Sequence, residues 1–85
     1  MQGEPITPEN NEILYMEKDN IVTLTLNRPD RLNAYTENIY MGLREGINRA
    51  SQKQNINAIV ITGAGRGFCA GADMDNLKKT NLGST

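Results

Sequence analysis

Hydrophobic and polar positions alternate most clearly at Ile21-Val22-Thr23-Leu24-Thr25-Leu26, which predicts a β-strand with Val22, Leu24 and Leu26 on one face. Ile13 to Glu17 is a second short apolar stretch, and Lys18-Asp19-Asn20 between the two has turn chemistry, so the pair reads as a hairpin. Further along, Ile39, Leu43 and Ile47 recur at four-residue spacing with Tyr40 and Ala50 flanking the same face, which predicts an amphipathic helix. Thr36 is a good N-cap residue, and Glu37 in the first turn suits the positive end of the helix dipole. Gly42 and Gly46 each weaken that helix by about 1 kcal/mol relative to Ala, so it needs packing to persist. The polar run Ser51 to Asn55 closes it, and Ala58 to Thr62 is the next strand. Residues 1 to 11 read as a flexible polar arm, and 12–85 as one unit.

Strand, helix, strand is a βαβ unit, whose strands lie parallel. The fold class is therefore α/β. The second of these strands runs into Gly63-Ala64-Gly65-Arg66-Gly67-Phe68-Cys69-Ala70-Gly71, with four glycines in nine positions. That run falls at the carboxyl end of a parallel strand, where open α/β sheets bind ligands. Gly71-Ala72-Asp73, ahead of a short helix expected over Asp73 to Lys79, offers a backbone N–H that no bulky side chain shields. Such a donor suits a developing negative charge. A plain glycine-rich β–α connection without a ligand fits the same residues. A dinucleotide fingerprint fits less well. Gly65-Arg66-Gly67-Phe68-Cys69-Ala70 matches G-x-G-x-x-A, but the acidic residue such a site needs about 20 positions on falls past residue 85.

Composition narrows the rest. A chain of 85 residues supports one small domain and buries a modest fraction of its surface. A net charge of -1 argues against general nucleic-acid binding. No apolar run reaches the ~20 residues of a membrane span, and the first twelve residues lack the basic start and apolar centre of a signal peptide. A reducing compartment is expected, with cytoplasm and an organelle matrix both compatible. Cys69 is the only cysteine and there is no histidine, so neither an internal disulfide nor a metal site is expected. Asp73 and Asp75 are explained by a helix N-terminus better than by a metal. Tyr15, Tyr35 and Tyr40 read as packing or rim residues, and Met16, Met41 and Met74 as gap-fillers. Arg28 and Arg31, beside the turn at Pro29, suit either a phosphate or plain solvent.

Taken together, these pieces resemble the crotonase family, the enoyl-CoA hydratase/isomerase superfamily. The residues that carry the resemblance are the strand Val22 to Leu26 with Asn27-Arg28-Pro29 and Leu32-Asn33-Ala34, then Ala58 to Gly63 with Gly67-Phe68-Cys69-Ala70-Gly71-Ala72-Asp73. It covers roughly residues 11 to 79. It implies the N-terminal part of the crotonase (ClpP-like) ββα spiral fold. Members bind acyl-CoA thioesters and stabilise an enolate-like anion. The resemblance therefore implies that the Ala72 N–H is one of two oxyanion-hole donors. It further implies that backbone groups of Ala34, Ala70 and Met74 surround the CoA adenine, with Arg28 and Arg31 near CoA phosphates. Asp30 stands where some members carry a lysine, and Asp73 is expected to shape the loop. No cofactor is implied beyond coenzyme A as part of the acyl-CoA substrate, and no nucleic-acid or membrane partner. The complete protein is expected to form a homo-oligomer, a trimer or hexamer.

The family's second oxyanion donor and its catalytic glutamates lie on later segments. All six glutamates here, from Glu4 to Glu45, precede the glycine run. The expectation is thus the N-terminal portion of an enoyl-CoA hydratase or isomerase, inactive as the 85-residue chain alone. The rival readings are a truncated, non-catalytic CoA-binding or subunit-interaction module and a dinucleotide-binding βαβ unit. The reaction type and acyl length are not written in these residues.

Overall fold

The computed structural model describes residues 3–68. They form one four-stranded sheet in the order β1-β2-β3-β4, with a single long helix against it. The strands are β1 (Glu4–Thr7), β2 (Asn10–Lys18), β3 (Ile21–Leu26) and β4 (Ala58–Gly63), and the helix is α1 (Glu37–Ser51). β1, β2 and β3 run antiparallel in sequence, and β3 pairs with β4 in parallel. The βαβ unit and the hairpin are both as expected. Asp19 and Asn20 make the hairpin turn with φ of 54° and 65°, a conformation that Asn and Asp tolerate better than most residues.

The amino-terminal segment departs from the expected flexible arm. Glu4–Thr7 is an edge strand paired with β2, which itself begins at Asn10. Polar composition hid it. Only Ile6 is buried, at a register irregularity between Pro5 and Thr7, and the backbone ladder supplies the rest. Pro5 is compatible because an edge strand can spare a donor.

One face of the sheet carries the core. Cross-strand register places Ile13 beside Leu26 and Tyr15 beside Leu24, so β2 and β3 present Ile13, Val22, Leu24 and Leu26 together. The helix meets them with Ile39 and Ala50, and Leu43, Tyr35 and Ile56 pack at the margin. Its buried face is Ile39, Gly42, Gly46 and Ala50. This corrects the face read from the sequence: Tyr40 and Ile47 are exposed. The reason is close approach. A Cβ on Gly42 would stand 2.5 Å from Ile13 Cγ1, and one on Gly46 2.5 Å from Leu24 Cδ2. The glycines that weaken the isolated helix are the positions where it comes down onto the sheet. Thr36 caps it as expected, its hydroxyl oxygen accepting from the Ile39 N–H at 3.1 Å.

Candidate functional site

Because β3 and β4 are parallel, their carboxyl ends lie side by side, with Leu26 opposite Gly63. Two connections leave from this one end of the sheet. The first, residues 27–36, carries the Asn-Arg-Pro and Leu-Asn-Ala elements; the second is the start of the glycine run.

The first loop is built by proline and left-handed backbone. Pro29–Arg31 forms a 3-10 turn with Pro at its start, where the missing N–H costs nothing. Leu32 and Asn33 then both adopt positive φ, 51° and 56°. Asn is enriched in this region, whereas Leu holds it at a cost of order 1–3 kcal/mol, and such strain persists where surroundings over-determine it. The determinants here are four backbone hydrogen bonds. Arg31 and Asn33 N–H groups donate to the Arg28 carbonyl at 3.0 and 2.8 Å, Leu32 N–H to Pro29 at 3.2 Å, and Ala34 N–H to Arg31 at 3.0 Å.

Arg28 is turned inward. Its guanidinium donates to the Ala34 carbonyl at 2.9 Å, and its Nε lies 3.8 Å from the Glu12 carboxylate. The same carboxylate accepts from the Thr36 hydroxyl at 2.6 Å. Glu12 therefore ties β2 to both the loop and the start of α1. Arg28 orients the Ala34 carbonyl, which keeps a second lone pair for another donor. Arg31 is exposed on the outside of the 3-10 turn.

The second loop touches the first. The ladder continues one residue past β4, with Ala64 N–H donating to the Leu26 carbonyl at 2.8 Å. Gly65 has φ of 79°, and a Cβ there would come within 2.9 Å of Pro29. That position needs glycine for both reasons. Asn33 is fully buried between the loops. Its Oδ1 accepts from the Arg28 N–H at 2.7 Å, and its Nδ2 donates to the Ala64 and Gly67 carbonyls at 2.9 and 2.6 Å.

Of the residues expected at the site, the structure brings Arg28, Arg31 and Ala34 onto one loop at the carboxyl end of β3. Ala70, Ala72 and Met74, with Cys69, Asp73 and the helix expected from Asp73, lie outside the described residues. Two residues that matter to this geometry had no assigned part: Glu12, just past the expected arm and ahead of the apolar stretch from Ile13, and Asn33, present in the motif without a role. An Asn flanked by Leu and Ala in a predicted loop is a signal for left-handed backbone, and could have raised it.

Comparison with known proteins bears directly on this loop pair. A sequence model described as enoyl-CoA hydratase/isomerase matches residues 21–84, which includes both loops. The chain belongs to the enoyl-CoA hydratase/isomerase family. It is 41% identical over 64 residues to 1,2-epoxyphenylacetyl-CoA isomerase of Escherichia coli K12, a match that covers 75% of this chain and 24% of that protein. Among solved structures, it resembles an enoyl-CoA hydratase/isomerase from Mycobacterium paratuberculosis, with a TM-score of 0.71, 38% identity, and coverage of 76% of this chain and 26% of the other. It also resembles the enoyl-CoA hydratase of Mycobacterium tuberculosis H37Rv, with a TM-score of 0.76, 29% identity, and coverage of 80% and 27%. These likenesses bear out the α/β assignment and the crotonase fold, of which the chain represents the N-terminal portion. The chain spans about a quarter of the length of the relatives it matches. Among the described residues, no helix of this family member is long and apolar enough to cross a membrane.

Proposed function

We propose that this chain is the acyl-CoA-binding N-terminal portion of an enoyl-CoA hydratase or isomerase, and that it contributes half of a backbone oxyanion hole. The observation that carries the reading is the family match across residues 21–84, which includes the paired loops at the carboxyl ends of β3 and β4. The Ala72 N–H is the donor to the thioester oxygen as negative charge develops there. Removing one such donor typically costs about 2.7–4 kcal/mol of transition-state stabilisation. The Ala34 carbonyl, held by Arg28, accepts from the adenine amino group, with backbone groups of Ala70 and Met74 around the same ring.

The geometry of Arg28 favours a positioning part over a direct phosphate contact, since its guanidinium is engaged by Ala34 and Glu12. Arg31, exposed on the turn, is the second candidate phosphate neighbour. The second donor and the acid/base groups come from segments beyond these residues. The 85-residue chain alone is accordingly inactive. The complete enzyme adds water across, or shifts, the 2,3 double bond of an acyl-CoA, and works as a homo-oligomer in a soluble compartment.

The test is a two-part assay. Calorimetric titration of the full-length protein containing this segment is expected to show affinity for acetoacetyl-CoA and none for NAD. The purified 85-residue chain is expected to leave crotonyl-CoA unhydrated. NAD affinity without CoA-ester affinity overturns the acyl-CoA reading, and turnover by the short chain overturns the division of labour.

A further inference from the structure

We propose that Asn33 is the positioning residue that joins the two loops, fixing the turn 64–67 against the 28–34 loop and so setting where the chain leaves Gly67. Its consequence for the anion site rests on the acyl-CoA reading above; the joint itself does not.

The side-chain amide of Asn33 uses both kinds of group it owns. The oxygen accepts from Arg28 N–H at 2.7 Å, within its own loop. The two N–H groups are aimed at carbonyls of the other loop, Ala64 at 2.9 Å and Gly67 at 2.6 Å. Those carbonyls bracket one turn, so a single NH2 group closes it from outside. Strand β4 ends in a way that leaves room: a Cβ on Gly63 would stand 2.8 Å from Asn33 Nδ2 and 2.7 Å from the Gly67 and Phe68 carbonyl oxygens. The backbone also selects this residue, because φ is 56° and Asn is tolerated there. Asp keeps the acceptor but sets a carboxylate oxygen against two carbonyls. Gln adds a methylene where the side chain is already completely enclosed. Gly suits the backbone and removes the bridge alone.

This makes the loops one body. Arg28 N–H, the Ala34 carbonyl and the turn 64–67 are tied through one amide, so displacement at either loop is felt at the other. Buried polar groups of this kind are costly to leave unpaired, which makes the joined arrangement strongly preferred over a separated one.

Nuclear magnetic resonance on the 85-residue chain tests it without any ligand. The unsubstituted chain is expected to show couplings across the hydrogen bonds from Asn33 Nδ2 to the Ala64 and Gly67 carbonyl carbons, and their absence overturns the proposal. In Asn33→Gly, amide exchange over Gly65–Phe68 is expected to rise about tenfold or more while α1 and the β2–β3 hairpin stay within about twofold. In Asn33→Asp the same turn opens, while the Arg28 N–H keeps its low-field shift. A uniform rise across turn, helix and hairpin would show a merely structural residue and overturn the proposal, as would no change at the turn. If Asn33→Asp does not fold, the Gly variant and the couplings decide. With the couplings present, a full-length protein lacking affinity for acetoacetyl-CoA counts against the acyl-CoA reading and leaves the joint upheld.

Discussion

β3 and β4 are neighbours in one sheet, lie parallel, and carry almost the same kind of sequence, Ile-Val-Thr-Leu-Thr-Leu against Ala-Ile-Val-Ile-Thr-Gly. Their burial is opposite. Val22 and Leu24 are 0% exposed, whereas Ile59, Val60 and Ile61 are 37%, 44% and 40% exposed. Register does not explain this. Ile59 pairs with Val22 and Ile61 with Leu24, so both β4 isoleucines lie on the helix side of the sheet. The helix, however, sits chiefly over β2, with lesser contact to β1 and β3. Among the described residues, β4 is one of the two edges of the sheet, the other being β1. Apolar pattern therefore marks a strand as fit for burial, while position beneath the helix decides which strand is buried.

The sharpest way to break this contrast is to truncate the same register position on both strands. Leu24→Ala is expected to cost about 2–5 kcal/mol, as fully buried leucines do, read from the midpoint of urea unfolding. Ile61→Ala, directly beside it in register, is expected to cost about 1 kcal/mol, because much of its side chain already meets water. Equal losses would mean that β4 is covered as β3 is.

The second effect comes from the helix glycines. Gly42→Ala gains about 1 kcal/mol of helix propensity but meets Ile13, whose Cβ would be 2.8 Å away and cannot move without the strand. Overpacking of about 1–3 kcal/mol outweighs the gain, so a net loss of about 1–2 kcal/mol is expected. Gly46→Ala meets the methyl ends of Leu24, which can rotate aside, and should lose less. Reversal of that order in thermal unfolding would place the close approach elsewhere on the helix.

These glycines also show what the sequence could and could not say. Periodicity identified the helix, its cap at Thr36, and the βαβ unit, because those follow from local spacing and capping chemistry. The buried face, Ile39, Gly42, Gly46 and Ala50, differs from the one apolar spacing predicts, because apolar side chains alone do not mark the line of closest approach. Where a helix comes down closest, the residues are small, and Ile47 and Tyr40 fall to the sides. β1 was unreadable for a related reason: an edge strand with one buried side chain, Ile6, has no hydrophobic alternation to show. At the site, the two loops were legible as motifs, but their contact was not. It runs through the Asn33 amide to carbonyls 31 and 34 residues away in the chain, and backbone acceptors carry no sequence signature.

A smaller effect is expected where the loop meets the helix. Thr36→Ala removes the acceptor for Ile39 N–H and the donor to Glu12, and should cost about 1 kcal/mol. Thr36→Ser keeps both hydrogen-bonding groups and should recover most of the loss. Failure of the serine to do so would put the threonine methyl, not the cap, in charge of this junction.

The smallest change is the one most informative about β4. Val60 lies on the face of the sheet away from the helix, side by side with Thr23, and is 44% exposed. Val60→Lys is expected to alter the unfolding free energy by no more than about 0.5 kcal/mol, as exposed substitutions usually do. It should nevertheless lower self-association in sedimentation velocity, because an edge strand with apolar side chains is a template for pairing and a lysine there blocks it. The two readouts separate stability from association. A loss of several kcal/mol would show that this face is packed in the folded protein and erase the contrast with β3. Unchanged stability with unchanged association would show that the edge, though exposed, does not recruit other chains. The expected combination, equal stability with weaker association, is the behaviour of an exposed apolar strand at the edge of a sheet.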